Sequence, residues 1–298
     1  MLLRVIPLES SHDTIGLTYF VPWELESHIE IGQMVSIPVR KDISLGIIAD
    51  IIREHGTLPE EIKSVISLVS RMPVLAPEQI GVIDDIARSN LIHIHKVASL
   101  FLPRPLQKRI TKYSLSDTSE TTFLSKIPPF SGVFSKPKLH YIRESSYFNE
   151  VRKTLEGEDC VTIAPSEMYF SADRYKEWAI LQQDATDTAR SKFWLSLQSK
   201  EFSQAIWTRR LATYNLSAYS RIVYLEDSLL PDLYHSFHSY SSLDILLSLV
   251  AHSGQELHII SRTPLIHTSA LAMHGTLELV QYPWTPSSLR SSPPDVTI

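Results

Sequence analysis

An apolar run that ends in two carboxylates constrains the fold of this chain more than any other feature. Residues 222–225 read Ile-Val-Tyr-Leu, and they lead directly into Glu226 and Asp227. Such a run, with helical patterns on both sides, is typical of a buried parallel strand. In open α/β sheets, ligands bind at the carboxyl ends of the strands. The sequence therefore predicts a sheet with a site near Glu226.

Two further apolar runs also lead directly into polar residues. Residues 205–207 lead into Thr208 and Arg209, and residues 257–260 lead into Ser261 and Arg262. From residue 130 to about residue 282, strand and helix patterns alternate. The predicted strands cover residues 138–142 and 159–164 besides these three, and the predicted helices cover residues 146–155, 174–181 and 189–197. Repeated βα units predict an α/β fold with a doubly wound parallel sheet.

The first hundred residues have a different pattern. Short β-rich runs are separated by turn residues, at residues 2–8, 17–21, 33–39, 43–52 and 64–69. Short strands joined by short turns indicate an antiparallel barrel or sandwich. Two helices follow, one opened by Pro77 and one from about residue 92 to Phe101.

Composition limits the classes of function. The chain has 298 residues, a net charge of -5 and one cysteine, Cys160. A single cysteine excludes an internal disulfide and a cysteine zinc cluster. No apolar stretch approaches the ~20 residues of a membrane span, so a cytoplasmic location is expected. Because the net charge is acidic, any contact with DNA must be local.

The order of landmarks in the first hundred residues resembles a known family. These landmarks are Leu-Thr-Tyr-Phe-Val-Pro at 17–22, Gly-Gln-Met-Val-Ser-Ile-Pro at 32–38, Leu-Gly-Ile-Ile at 45–48, Ile-Lys-Ser-Val at 62–65 and Leu-Phe-Leu-Pro at 100–103. They look like the N-terminal domain of the replication-restart helicase PriA (primosomal protein N′). In that family the domain binds DNA and recognises the 3′ end of a nascent strand. The resemblance implies a DNA-binding domain over residues 1–103.

The candidate DNA contacts follow from the resemblance and from the distribution of cations. They are Tyr19, Arg40, Lys41, Lys63, Arg104, Lys108 and Arg109. The family's Asp, which helps hold the terminal nucleotide, is Thr18 here, and a family glycine is Arg40. Arg40 and Lys41 lie on a predicted hairpin turn, where cations reach a phosphate but are also common in any soluble protein. Tyr19 is either a stacking surface for a base or a core residue.

Residues 104–129 are predicted to be a linker, and residues 130–282 resemble the first, RecA-like motor lobe of a superfamily 2 helicase. The phosphate loop of that lobe needs glycines, a lysine and a hydroxyl that binds magnesium. Residues 132–139 keep Gly132 and Lys138, but they place Pro137 and Leu139 at positions of a family glycine and of the hydroxyl. The resemblance therefore implies a degenerate nucleotide site.

The family's Asp-Glu-Glu-His box is altered as well. Leu225 stands where an Asp would help hold magnesium, and Glu226 falls at the position of the water-orienting Glu. The second motor lobe is expected to be absent, since residues 283–298 form a Pro/Ser-rich tail that is expected to be disordered. The expected result is a chain with no catalytic residues, no cofactor and no metal site.

Other chemistry has less support in the sequence. His93 and His95 are expected on opposite sides of a helix, and His235 and His238 have no evident third metal ligand. The hypothesis is a non-catalytic PriA-like protein that binds branched or single-stranded DNA weakly and positions replication-restart proteins at a fork. The alternatives are a protein-interaction module without DNA affinity and a residual ATP-dependent helicase. The partner protein, the oligomeric state, recognition of the 3′ end and the completeness of the chain stay open.

Overall fold

The computed structural model describes most of the chain in segments. These are residues 1–9, 16–53, 62–70, 72–102, 135–142, 145–157, 159–164, 179–181, 186–198, 204–208, 212–214, 216, 219–226 and 241–282. The predicted linker and tail lie outside the described residues. No helix in these segments is long and apolar enough to cross a membrane.

The front of the chain forms a five-stranded antiparallel sheet. Its strands are β1 (Leu2–Pro7), β2 (Leu17–Phe20), β3 (Met34–Val39), β4 (Asp42–Ile52) and β5 (Ser67–Leu68), with a short 3₁₀ helix at Glu26–His28. The strand order is β2-β1-β4-β3-β5. All four strand pairs are antiparallel. The prediction of an antiparallel sheet for the first hundred residues is confirmed.

The two edges of this sheet meet, which gives it the form of a barrel. Phe20, at the end of β2, forms a parallel bridge with Ser64, just before β5. The Phe20 N–H donates to the Lys63 carbonyl at 2.9 Å, and the Val65 N–H donates to the Phe20 carbonyl at 2.9 Å. Closure of this kind pairs the edge strands and fixes the segment around Lys63 against β2. The barrel interior is apolar, with Leu3, Val5, Tyr19, Val35, Ile37 and Ile48 buried in one cluster.

Two helices follow the barrel, as predicted. Helix α1 is Pro77–Ser89 and helix α2 is Ile94–Phe101. Pro77 occupies the first turn of α1, where its missing N–H costs nothing. Ile80, Ile83 and Ile86 recur at helical spacing and are buried.

The second half forms a seven-stranded sheet in which all pairs are parallel. Its strands are β6 (Lys138–Tyr141), β7 (Cys160–Ala164), β8 (Ala179–Leu181), β9 (Gln204–Thr208), β10 (Arg221–Glu226), β11 (Glu256–Ser261) and β12 (Glu278–Gln281). The order is β12-β6-β11-β10-β7-β9-β8. The helices are α3 (Ser145–Leu155), α4 (Asp187–Gln198), α5 (Ser242–Ser253) and α6 (Ile266–Met273). The parallel α/β prediction is confirmed.

One element was predicted wrongly. The sequence indicated a helix over residues 174–181, but Ala179–Leu181 is an edge strand paired with β9. A three-residue strand is too short to show a periodicity of its own, and its pairing with β9 determines its conformation.

Helices cover both faces of the parallel sheet. Along β10, Ile222 and Tyr224 belong to one core, whereas Val223 and Leu225 belong to another that includes Phe148 of α3. This alternation explains why residues 222–225 are continuously apolar.

The larger core extends into the barrel. It contains Ile6, Met34 and Ile47 from the outside of the barrel, residues of α1 and α2, and residues of α5 such as Leu246. Helices α1 and α2 are therefore packed between the two sheets.

Polar contacts connect α1 to both halves of the chain. Arg4 of β1 donates two hydrogen bonds to Asp84, at 2.9 and 2.7 Å. The next residue, Asp85, accepts from Ser248 Oγ and lies 2.8 Å from His252 Nε2, both on α5. Gln79, which is buried, donates to the Thr213 carbonyl at 2.9 Å and accepts from the Ala76 N–H at 2.9 Å.

We expect Gln79→Ala to lower the free energy of unfolding by about 1–3 kcal/mol, because a buried N–H and a buried carbonyl lose their partner. Urea denaturation followed by circular dichroism measures this change. Lys96→Ala, on the exposed side of α2, is the control and should change stability by less than about 0.5 kcal/mol. Equal effects of the two substitutions would contradict the role given to Gln79.

Candidate nucleic-acid interface

The candidate DNA contacts of the barrel gather at the tip of the β3–β4 hairpin. Val39 pairs with Asp42, so Arg40 and Lys41 form a two-residue loop. Both side chains are exposed. The hairpin turn predicted from the sequence is therefore present, and it projects two cations from the end of the barrel.

The backbone of Arg40 is strained. Its φ is +54°, in the left-handed region, whereas Lys41 is not among the residues with positive φ. Glycine is the residue that adopts this conformation most readily. The strain gives a physical reason for the glycine at this position in the family that the barrel resembles.

Lys63 joins this cluster from the other side of the barrel seam. Its backbone carbonyl accepts from Phe20, and its ammonium donates to the Arg40 carbonyl at 3.0 Å. The Lys63 side chain is exposed. The fold therefore brings Arg40, Lys41 and Lys63 together, which the sequence could only imply through the resemblance.

Tyr19 does not have the exposure that a base-stacking surface needs. Its ring is only 3 % exposed, and its hydroxyl donates to the Pro38 carbonyl at 3.1 Å. Burial raises the pKa of this hydroxyl. Of the two interpretations of Tyr19, this conformation agrees with the core residue, because alternation along β2 turns Tyr19 inward and turns Thr18 and Phe20 outward.

The other predicted DNA contacts lie outside the described residues; they are Arg104, Lys108 and Arg109. Gly132 of the predicted phosphate loop lies outside them as well. Lys138 does not lie in a loop between a strand and a helix. It is the first residue of β6 and pairs with His258 and Glu278. The predicted register of the phosphate loop is therefore wrong, because the loop would have to follow this strand.

The connection that follows β6 is short. β6 ends at Tyr141 and α3 begins at Ser145, so residues 142–144, Ile-Arg-Glu, join them. A phosphate loop uses about eight residues with glycines at this point, since successive N–H groups must converge on the phosphate. Neither the length nor the composition of this connection matches such a loop.

Glu226 lies at the carboxyl end of β10, as predicted, and it is buried. Its carboxylate accepts hydrogen bonds from the Leu265 N–H at 3.1 Å and from the Thr268 hydroxyl. These groups begin α6, so Glu226 supplies a negative charge to the amino terminus of that helix. Lys138 pairs with His258 of β11, and His258 pairs with Val223 of β10. Val223 is three residues before Glu226. The two residues are thus separated by roughly 10 Å along the strand direction, at about 3.3 Å per residue, and they do not form one site.

A chain of polar groups crosses the parallel sheet, with its two histidines buried, and no local sequence pattern indicates it. Tyr282 Oη lies 2.8 Å from His140 Nδ1, and His140 Nε2 lies 2.9 Å from His258 Nδ1. His258 Nε2 lies 3.5 Å from Glu256, which also accepts from Arg221 at 3.0 Å. If both imidazoles are neutral, and because a carboxylate only accepts, one proton arrangement satisfies the chain. Tyr282 donates to His140, His140 donates to His258, and His258 donates to Glu256.

The surroundings of the two imidazoles favour their neutral forms. Burial, together with the nearby His258 and Lys138, lowers the pKa of His140 to about 4. Burial also lowers the pKa of His258, although Glu256 opposes that shift. Lys138 therefore lies near a histidine pair.

His93 and His95, for which the sequence favours a structural role over a metal pair, are placed differently from expectation. His93 and His95 were expected on opposite sides of a helix, but their rings stack with centroids 5.7 Å apart. His93 precedes the first residue of α2, so helical spacing does not separate the two rings. Within the described segments, no group of three or more His, Cys, Asp or Glu side chains could hold a metal ion. His235 and His238 lie outside those segments.

We expect Arg40→Gly to stabilise the protein by about 0.5–1 kcal/mol, since glycine removes the strain of the left-handed backbone but increases the entropy of the unfolded chain. The midpoint of urea unfolding measures the change. Lys41→Gly removes the same charge at a residue without positive φ, and it should not stabilise. Equal changes in both variants would show that charge, and not backbone strain, controls stability here.

We expect stability to fall as the pH is lowered from about 6.5 towards 4, because the unfolded chain binds a proton at His140 in this range and the folded chain does not. The free energy of unfolding should fall by about 2 kcal/mol between pH 7 and pH 5. Each unit by which the pKa differs between the folded and unfolded states corresponds to about 1.36 kcal/mol. Urea unfolding at several pH values measures it. His140→Gln should be less stable at pH 7 and should show a shallower decline. A wild-type profile as shallow as that of the variant would contradict this account.

Comparison with known proteins gives a partial match. A family model described as the 3′DNA-binding domain (3′BD) of PriA matches residues 8–103. No curated protein matches the chain. Among solved structures, the C-terminal domain of the DEAD-box protein Dbp5 is similar with 15 % identity and a TM-score of 0.35, over 50 % of this chain and 89 % of that one. The barrel with helices α1 and α2 is thus similar to the 3′-DNA-binding domain of PriA.

Proposed function

We propose that this chain is a non-catalytic, PriA-like DNA-binding protein that acts at replication forks or in replication restart, in the cytoplasm. The observation that carries the proposal is the match of residues 8–103 to the 3′-DNA-binding domain of PriA. The barrel is the module that binds DNA, and the parallel sheet is a RecA-like scaffold that positions partner proteins.

The hairpin cluster supports DNA binding. Arg40, Lys41 and Lys63 are exposed cations, and the bond from Lys63 to the Arg40 carbonyl holds them close together. Cations that neutralise phosphates give an affinity that falls as salt rises. Asp42 adjoins the loop and reduces the local positive charge, which is consistent with weak binding.

Two features of the parallel sheet support the absence of ATPase activity. The three-residue connection between β6 and α3 offers too few N–H groups for a triphosphate. Glu226 is occupied by the start of α6, so its carboxylate is not available to orient a water. Leu225, adjacent to it, is buried and cannot ligate a cation.

Two alternatives remain. A protein-interaction module without DNA affinity is favoured by the net charge of -5 and by the change of the family's Asp to Thr18. A residual ATP-dependent helicase is favoured only by the parallel sheet with a carboxylate at the end of β10.

Titration of a labelled fork at two salt concentrations tests the proposal. We expect binding at low salt and a loss of about tenfold or more in affinity when salt is raised fourfold, as expected for two or three phosphate contacts. The double substitution Arg40→Gln and Lys63→Gln should reduce both the affinity and its salt dependence. No binding at low salt would leave the protein-interaction module as the better reading.

A phosphate-release assay with ATP, magnesium and the same fork tests the remaining alternative. The proposal expects no release above background. Release that depends on DNA, and that is lost in Glu226→Gln, would show that the parallel sheet is a working motor.

A further inference from the structure

An apolar stripe crosses the outside of the barrel next to the hairpin cluster. Phe20, Ile66 and Ile43 are 44 %, 48 % and 69 % exposed. Phe20 bridges Ser64, two residues before Ile66, so both side chains lie on the outer surface of the seam. The stripe thus begins on β2 and continues onto the segment that closes the barrel.

Pairing across β3 extends the stripe to β4. The Ile66 N–H donates to the Ser36 carbonyl at 2.9 Å, and Pro38, two residues further along β3, pairs with Ile43. Side chains at paired positions lie on the same face of a sheet. Ile66 and Ile43 thus lie on the two segments that flank β3, and both side chains are exposed.

The same outer surface is covered further along the strands. Met34 and Ile47 face outward and are buried in the core that the barrel shares with α1 and α2. The stripe is the part of this surface that the two helices do not reach.

Trp23 adds a second aromatic side chain. It lies three residues after Phe20, in a turn where the Leu25 N–H donates to the Pro22 carbonyl at 3.0 Å, and it is 79 % exposed. An indole this exposed keeps a large apolar surface in contact with water in the unbound protein. Its flat face is one on which a base can stack.

Cations border the stripe at both ends. Lys63 adjoins Phe20 through the backbone bond across the seam, and Lys41 lies two residues before Ile43. Aromatic faces beside exposed cations match the chemistry of a single strand, whose bases stack while its phosphates pair with the cations.

The residues around the position of the family's end-reading carboxylate differ from an open end-binding pocket. The Tyr19 hydroxyl bonds to the Pro38 carbonyl, and the Lys63 ammonium bonds to the Arg40 carbonyl. Thr18 replaces the family's carboxylate at this position. The Tyr19 hydroxyl is thus buried and bonded, whereas the side chains of Phe20 and Ile66 on the outer surface are exposed.

From this arrangement we infer that the barrel binds the interior of a DNA single strand along the stripe, with bases stacked on Phe20 and Trp23, and without a requirement for a free 3′ end. The inference rests on the proposed function, which requires only that the barrel bind DNA. It adds the substrate class, which is a DNA single strand bound without regard to its end. It also names Phe20 and Trp23 as the residues that contribute most to the affinity.

Fluorescence anisotropy with a 5′-labelled oligothymidine of about 20 nucleotides tests the inference, since one small fold covers about 4–16 nucleotides. The oligonucleotide is used with a free 3′-hydroxyl, with a 3′-phosphate, and annealed to its complement. The variants are Phe20→Leu and Trp23→Leu, which keep an apolar side chain but remove the aromatic face. Ile266→Ala, at an exposed residue of α6, is the control, and thermal unfolding checks that each variant is folded.

We expect each aromatic substitution to weaken binding of the single strand by about 5-fold to 100-fold, as for the loss of one stacked base. The 3′-phosphate should have no effect, and the duplex should bind more weakly. DNA binding that is unchanged in both aromatic variants, or that requires the 3′-hydroxyl, would overturn the inference and leave the proposed function intact. No binding of any DNA at low salt would overturn both.

Discussion

Helix α1 connects the two sheets of this protein, and most of the architecture depends on how that helix is held. Consecutive residues of a helix point about 100° apart, so Asp84 and Asp85 face different neighbours. Asp84 pairs with Arg4 of the barrel, and Asp85 contacts His252 of α5. Gly81 lies so close to α5 that an added Cβ would approach the His252 ring to within 2.7–2.8 Å. The helix thus belongs to both halves of the chain.

This packing gives the barrel an environment that a free module would lack. The outward side chains of β1, β3 and β4 at Ile6, Met34 and Ile47 are buried only because α1 and α2 cover them. Those helices are in turn covered by α5 and the parallel sheet. Removal of apolar area from water is the main source of stability, so each half of the chain contributes to the stability of the other.

Periodicity predicted the elements well where it was strong. Residues 222–225 became the central strand β10, and the turn residues of the first hundred positions marked an antiparallel sheet. Contacts over long sequence separations could not be predicted. His140 and His258 are 118 positions apart, and nothing in their local sequence indicates that their rings share a hydrogen bond. Lys138 was misplaced for another reason, since a family motif was fitted to residues that the fold uses to begin a strand. Tyr19 was correctly placed on a strand, but only the closed barrel showed which face it takes.

The short connection between β6 and α3 has a consequence for protein engineering. Point substitutions can replace Leu139 or Pro137, but they cannot lengthen three residues into a turn that wraps around phosphate oxygens. If the parallel sheet has no ATPase activity, as we propose, building a nucleoside triphosphatase on it would require inserted backbone after Tyr141 and a new anion for the start of α6 in place of Glu226. Under the proposed function, acquiring that chemistry would therefore require a change of chain length as well as changes of side chains.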